Sequence, residues 1–180
     1  LRAFDMYNMV QGGSLVVTGV PSDQFWRGNL TGKVVMQNFV VTEAPVLARL
    51  ISALSLPGLL ELLGQKGVSF SRMEADFEWI SRDRGSLIKI REGRTSGSEL
   101  GLTFEGTIDQ ATDNMNLSGT IVPVSTVNEM IGSVPLIGDI LTGGSGALIA
   151  ATYTARGETG DPNVVINPLS VLTPGILRRI

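Results

Sequence analysis

Residues 122–144 read VPVSTVNEMIGSVPLIGDILTGG, a short apolar helix, a proline, a second short apolar helix and then glycines. When the chain is shifted by 78 positions, SLPGLLELL at residues 55–63 falls on SVPLIGDIL at residues 133–141. We interpret the match as an internal repeat in which a helical hairpin interrupts β-strands. A chance resemblance between two such hairpins is the alternative. The matched pairs are Pro45 with Pro123, Pro57 with Pro135, Ser55 with Ser133, Glu61 with Asp139, and Leu63 with Leu141.

Length and composition set the outer limits. A chain of 180 residues is long enough for one ordinary domain, which we expect to span 1–180 and to contain two similar halves, about 30–94 and 108–172. The net charge of -3 gives no sign of a nucleic-acid partner. One basic cluster is interleaved with Asp83 and Glu92 and is interpreted as a solvated strand face; it comprises Arg82, Arg84, Lys89, Arg91 and Arg94.

Two helical hairpins are predicted from the spacing of apolar residues. In the first, Leu47, Leu50, Ile51 and Leu54 recur at helical intervals after a first-turn Pro45. Its second helix starts near Pro57 and stops at Gly64. The second hairpin carries Val127, Met130 and Ile131, then Leu136, Ile137, Ile140 and Leu141. Helices this short must lie on an apolar surface to be stable.

The rest of the chain has the pattern of β-strands. The clearest alternation is in 68–80, where Met73, Ala75, Phe77 and Trp79 alternate with charged residues. Further strands are predicted at 14–20, 30–42, 86–94, near 100–109 and 115–121, and at 147–157 and 163–167. In 30–42 the alternation is imperfect, because Val35, Phe39 and Val41 share a face with Gln37; a bulge or a strand covered on both sides would explain this. The sequence therefore predicts an α+β, mostly β fold: an antiparallel meander forming a curved sheet or groove, interrupted by two helical hairpins.

The C-terminal part, 113–180, resembles the C-terminal region of the AsmA-like proteins of Gram-negative bacteria, and the first half resembles it less closely. The residues that carry the resemblance are Ser118-Gly119-Thr120-Ile121-Val122-Pro123, Asn128, Ile131-Gly132, Pro135-Leu136-Ile137-Gly138, Leu141-Thr142-Gly143-Gly144, Tyr153, Gly157, Asp161-Pro162, Asn167-Pro168-Leu169-Ser170 and Pro174-Gly175.

This resemblance implies a periplasmic protein, anchored to the inner membrane, whose long β-sheet curls into an apolar groove. It implies a part in moving phospholipid between the inner and outer membranes and in keeping the outer-membrane barrier intact. The chain departs from the full pattern in lacking the N-terminal anchor and most of the groove. We therefore expect it to be part of a longer protein, with the anchor on a segment absent from the chain.

A meander with one apolar face must cover that face with another sheet, with helices or with a ligand. Taken one at a time, its apolar residues are interpreted as core; as a set, they are candidates for a groove that holds the acyl chains of phospholipid or another lipid. The lipid-groove candidates are Met73, Phe77, Trp79, Leu100, Leu102, Phe104, Ile121 and Tyr153.

The second hairpin has two interpretations. Leu136, Ile137, Ile140 and Leu141 either pack on the sheet, or plug an open groove end or contact a membrane interface. A structural or partner-binding β-domain with a closed core, acting with other envelope proteins, is the alternative to a lipid-binding module.

Enzyme activity is not expected. The chain contains no cysteine and no histidine, which excludes Cys and Ser-His nucleophile sites and the usual zinc ligand sets. Asp109, Asp113 and Asp161 fall at predicted turns, where Asp is favoured for backbone reasons. No cofactor or metal is predicted.

Overall fold

A computed structural model of the chain describes residues 9–22, 28–42, 44–54, 57–123 and 150–167. Within these ranges, eight strands form one antiparallel sheet in which the spatial order equals the sequence order. Two short helices lie between the second and third strands. The elements are β1 (Val10–Pro21), β2 (Leu30–Val41), α1 (Pro45–Ala53), α2 (Pro57–Gln65), β3 (Val68–Ser81), β4 (Ser86–Ser96), β5 (Leu100–Asp109), β6 (Asn114–Pro123), β7 (Ala151–Glu158) and β8 (Asn163–Asn167).

This architecture confirms the predicted mostly β, antiparallel meander with a short helical hairpin after β2. The second predicted hairpin, including Leu136, Ile137, Ile140 and Leu141, lies outside the described residues. The pairs β2–β3 and β6–β7 flank the two segments that the 78-residue shift superimposes. The repeat and its two halves stay predictions.

The two faces of the sheet differ sharply in chemistry. Residues that pair directly across antiparallel strands lie on the same face, so the register defines each face from β1 to β8. One face, called the apolar face below, carries almost only apolar side chains and glycines. The opposite, polar face carries most of the charged residues. One row on the apolar face runs across seven strands through Leu15, Met36, Met73, Thr95, Leu102, Ile121 and Ala151.

Helix α1 covers part of the apolar face. Its side chains Leu47, Leu50 and Ile51 are buried in the main core cluster. The sheet contributes residues from five strands to that cluster: Met36, Phe39, Val68, Phe70, Leu100, Ile121, Ala151 and Tyr153. The rings of Phe39 and Phe70 stack with centroids 5.5 Å apart. Because α1 and α2 each have only nine residues, their stability depends on this packing.

The ends of the hairpin follow from local backbone chemistry. Pro45 occupies the first turn of α1, where a missing N–H costs nothing. At the end of α2, the backbone N–H groups of Lys66 and Gly67 both donate to the carbonyl of Leu62 at 2.9 Å. Gly67 has a φ of +78° and a Cβ there would lie 2.5 Å from Val40, so only glycine fits this turn into β3.

Strand β2 differs from the sequence-based expectation in one respect. Asn38 has a φ of +53°, which reverses the alternation of side chains at that point. Met36 and Phe39 therefore both reach the core, while Val35 and Gln37 pair with Glu74 and Arg72 on the polar face. Grouping Val35 and Gln37 with Phe39 was wrong, because a left-handed residue breaks the period of two. The pairing register runs through Asn38 without a shift, so the broken alternation comes from this left-handed residue and not from the expected bulge.

Helix α1 is essential to the core, and a substitution at Ile51 tests how much its packing stabilises the fold. Ile51 is completely buried, and we expect Ile51→Ala to lower the free energy of unfolding by about 2–5 kcal/mol through lost burial and a residual cavity. The adjacent exposed Ser52 provides the matched control, because Ser52→Ala should change stability by less than about 0.5 kcal/mol. Urea denaturation of the two variants measures the difference. Equal, small effects would contradict the packing of α1 on the sheet.

Candidate functional site

All eight lipid-groove candidates lie on the apolar face. The register places Met73, Leu102 and Ile121 in one row, and it places Phe77 and Trp79 in the rows of Ile90 and Ile88. The remaining candidates, Leu100, Phe104 and Tyr153, fall on the same side by alternation along β5 and β7. The predicted sharing of one face is therefore correct for the set. What the set binds stays a prediction.

Burial divides these eight residues into two groups. Leu100 and Ile121 are fully buried and Tyr153 is nearly so, all three within the cluster that includes α1. Met73 and Leu102 pack against that cluster. These five side chains are in contact with the protein's own core. The other three are half-buried and are not part of that cluster: Phe77, Trp79 and Phe104.

The apolar face continues past the main core cluster. Across β2 to β6, half-buried apolar side chains form a contiguous area that also includes the buried Ala75, Ile88 and Met115, and this area is called the open half below. Pairs such as Trp79 with Ile88 and Ile88 with Ile108 connect neighbouring strands within it. The half-buried members are Leu30, Val34, Phe77, Trp79, Ile90, Phe104, Ile108 and Leu117.

Aromatic rings on this face lie over glycines of the next strand. The ring of Phe77 is paired with Gly32 and approaches Gly19, and a Cβ at Gly32 would lie 2.9 Å from that ring. Phe104 similarly lies against Gly93, where a Cβ would come within 2.4 Å of the ring. These glycines leave space that the aromatic side chains fill. The floor of the apolar face is thereby kept smooth.

Tyr153 has a structural role that the sequence did not reveal. Its hydroxyl donates to the carbonyl oxygen of Thr103 at 2.9 Å, across the intervening strand β6. In the same place the side-chain oxygen of Thr103 accepts from the backbone N–H of Thr120 at 2.9 Å. The β5–β6 pairing is interrupted between Leu102 and Glu105, so these two bonds replace part of the ladder. Burial raises the pKa of the Tyr153 phenol to about 12.

Ion pairs within and between strands lie on the polar face. Glu74 pairs with Arg72 at 2.9 Å and also with Arg94. The hydrogen bond from Arg72, followed by that from Arg94, lowers the pKa of the Glu74 carboxyl. The Oε2 atom of Glu78 lies 3.3 Å from the Lys89 ammonium and 3.3 Å from the Arg91 guanidinium. Four of the five cations in the basic cluster are thus paired with acids, since Arg82 also contacts Asp109 at 2.8 Å. Such exposed pairs contribute little to stability.

The polar face also contains a broad depression of about 810 Å³, which the sequence analysis missed. Threonines at alternate strand positions form much of its wall, including Thr103, Thr120, Thr152 and Thr154. The alternation of threonine with apolar residues along β7 is the signal that could have indicated it. A wall of hydroxyl groups can donate and accept hydrogen bonds.

Within the described ranges, no three acidic, cysteine or histidine side chains converge as a metal site would require. The described helices are also too short to cross a membrane.

Comparisons with known proteins identify no relative: no family model, no curated protein and no solved structure matches the chain.

The raised pKa of Tyr153 predicts a dependence of stability on alkaline pH. An acid whose pKa rises on folding, here from 10.0 to about 12, contributes stability that is complete below pH 10 and is lost as the pH passes 12. The loss should be on the order of 2–3 kcal/mol. Ultraviolet titration of the phenolate, together with denaturation between pH 9 and pH 12, measures both effects.

The two tyrosines of the chain provide the control for this titration. We expect Tyr153→Phe to abolish the high-pH transition and to cost about 1 kcal/mol at neutral pH, because a buried hydrogen bond is lost. Tyr7→Phe should leave the transition at about pH 12 in place. A phenol at position 153 that titrates near pH 10 in the folded protein would show that its hydroxyl is solvated.

Proposed function

We propose that the protein is a non-enzymatic module that binds acyl chains of lipid along the apolar face of its sheet. The observation that carries the proposal is the open half of that face. Helix α1 covers the core end of the face, yet apolar residues continue to the loops at the opposite ends of β3, β4 and β5. Phe77, Trp79 and Ile108 there are half-buried rather than enclosed. A contiguous apolar surface of this kind is typical of a binding site.

The contacts of α1 support a curved sheet. Six strand spacings of about 4.8 Å separate β2 from β8, which is about 29 Å across a flat sheet. Helix α1 starts four residues after β2, is about 14 Å long, and nevertheless packs against β8. Arg49 in α1 also pairs with Asp161, just before β8. Curvature towards the helices brings β2 and β8 closer together and makes the apolar face the inside of a groove.

The energetics of such a groove require no catalytic residue. Each methylene moved from water to an apolar surface gains roughly 0.8 kcal/mol, so a sixteen-carbon chain could gain on the order of 10 kcal/mol. The headgroup would remain in water at the groove edge. Phe77 and Phe104, which lie over glycines, would provide the smooth floor that a flexible chain needs.

The resemblance of 113–180 to the AsmA-like proteins supports a cellular setting for this activity. In that setting the module belongs to a periplasmic protein anchored to the inner membrane by a segment outside this chain. It contributes to phospholipid transport between inner and outer membranes and to outer-membrane integrity. Phospholipid is the proposed ligand, while membrane contact and protein partners of the envelope belong to the same proposal.

A second candidate is a structural or partner-binding β-domain without a lipid ligand. It is favoured by the complete burial of Leu100 and Ile121 in the core cluster that includes α1, which makes that end of the apolar face an ordinary core. The two candidates differ in what covers the open half. A ligand covers it in the first, and protein covers it in the second.

Site-specific photo-crosslinking tests the proposal directly. A photoreactive residue is placed at Ile108, in the open half, or at the adjacent Thr107, which faces the other side of β5. The full-length protein is irradiated in its own cells and examined by mass spectrometry. We expect phospholipid adducts at position 108 and none at 107. Adducts with protein alone at position 108 would favour the second candidate.

A carboxylate introduced into the open half separates the two candidates by stability as well as by binding. We expect Ile108→Glu to reduce co-purified lipid at least tenfold, because a charge in the path of an acyl chain must be desolvated. The protein should stay folded, since the site is wet when no lipid is bound. In a closed core the same variant would lose several kcal/mol of stability. Thr107→Glu is the matched control and should retain both lipid and stability.

A further inference from the structure

The edge strand β1 exposes aliphatic side chains on both faces of the sheet. Its twelve residues, VQGGSLVVTGVP, contain no ionisable side chain. Four of the six large apolar side chains that are exposed in the described ranges lie on it: Leu15, Val16, Val17 and Val20. A strand with apolar residues on both sides is expected where both sides are covered. Here almost the whole strand is exposed.

The opposite edge has the protection that β1 lacks. Strand β8 has only five residues, follows Pro162, and packs against α1. Short length, a proline and a covering helix are the usual devices that prevent an edge from pairing with another chain. In β1, the paired glycines Gly12 and Gly13 and the terminal Pro21 limit the strand at its ends. Among the residues that the structure describes, no strand pairs with its centre, from Ser14 to Thr18, on the side away from β2.

The centre of β1 is chemically a palindrome. Residues 13–19 read GSLVVTG, so reading outward from Val16 gives Leu15 and Val17, then Ser14 and Thr18, then two glycines. In an antiparallel pair of identical strands centred on Val16, each residue faces a residue of the same kind. Branched aliphatic pairs and Ser–Thr pairs are favourable partners across antiparallel strands. With no charge in the strand, self-pairing brings no repulsion.

We propose that β1 pairs antiparallel with β1 of a second copy of the chain. The twofold axis passes midway between the two copies of Val16. An isologous contact of this type places the same surface patch on both subunits. The axis is perpendicular to the sheet, so the two apolar faces lie on the same side. Leu15 and Val17 continue the rows of Met36 and Val34, and the dimer therefore has one uninterrupted apolar face across two sheets. The dimer does not depend on whether that face binds lipid.

Single cysteines test the register, because residues 1–180 contain none. Directly opposed residues of antiparallel strands have Cα atoms about 4.5–5.5 Å apart, which fits a disulfide. In the full-length protein, Val16→Cys should give a disulfide-linked dimer on mild oxidation in cells. Val17→Cys is the matched control, since its exposure is 56% against 57% for Val16. Its own copy would lie diagonally, about 7–8 Å away, beyond disulfide reach.

A second control examines the other edge. Val165 is 60% exposed on β8, and Val165→Cys should not cross-link. We expect at least tenfold more dimer from Val16→Cys than from either control, and cross-linking between Ser14→Cys and Thr18→Cys chains that carry different tags. Equal yields from all three single cysteines would mean random collision and would overturn the proposal. A disulfide from position 16 to a different polypeptide, or no cross-link there, would overturn it as well.

Discussion

The contact between α1 and the apolar face of the sheet is the interaction on which the rest of the structure depends. An eight-stranded meander with one apolar face is unstable in water unless part of that face is covered, and a nine-residue helix is unstable unless it lies on an apolar surface. Leu50 and Ile51 meet both needs at once, because they bury against strands that are distant in sequence, including those of Leu100 and Ile121. Each such side chain contributes about 1.5–3 kcal/mol of burial.

The irregular points of the sheet serve this packing. A perfectly regular β2 would place either Met36 or Phe39 on the polar face, and the left-handed Asn38 allows both to reach the core. The interrupted pairing of β5 with β6 is repaired by side chains, since the Tyr153 hydroxyl reaches the Thr103 carbonyl. By contrast, the ion pairs of the polar face are exposed and organise the surface more than they stabilise the fold.

Local sequence patterns predicted the helices and strands well. Contacts between residues distant in sequence determined which side chains are buried. The alternation in β3 and β5 and the helical spacing of Leu47, Leu50 and Ile51 depend only on near neighbours, so the sequence was sufficient for them. The kink at Asn38 depends on one backbone angle. The bond from Tyr153 to Thr103 joins residues fifty positions apart. For the same reason, the sequence could place the candidate residues on one face but could not separate Leu100, which is core, from Phe77, which is half-buried.

The chemistry of the apolar face bears on what kind of ligand the proposed groove can distinguish. The open half contains aliphatic and aromatic side chains with no ionisable group among those named above, so it offers an acyl chain apolar contact and offers a headgroup no charged partner. Recognition would therefore depend on chain length and packing rather than on headgroup identity. In the proposed groove a uniform lining would also keep the free energy nearly level along its length. An acyl chain would then meet no deep minimum that holds it at one point, which would suit movement along the sheet better than tight storage.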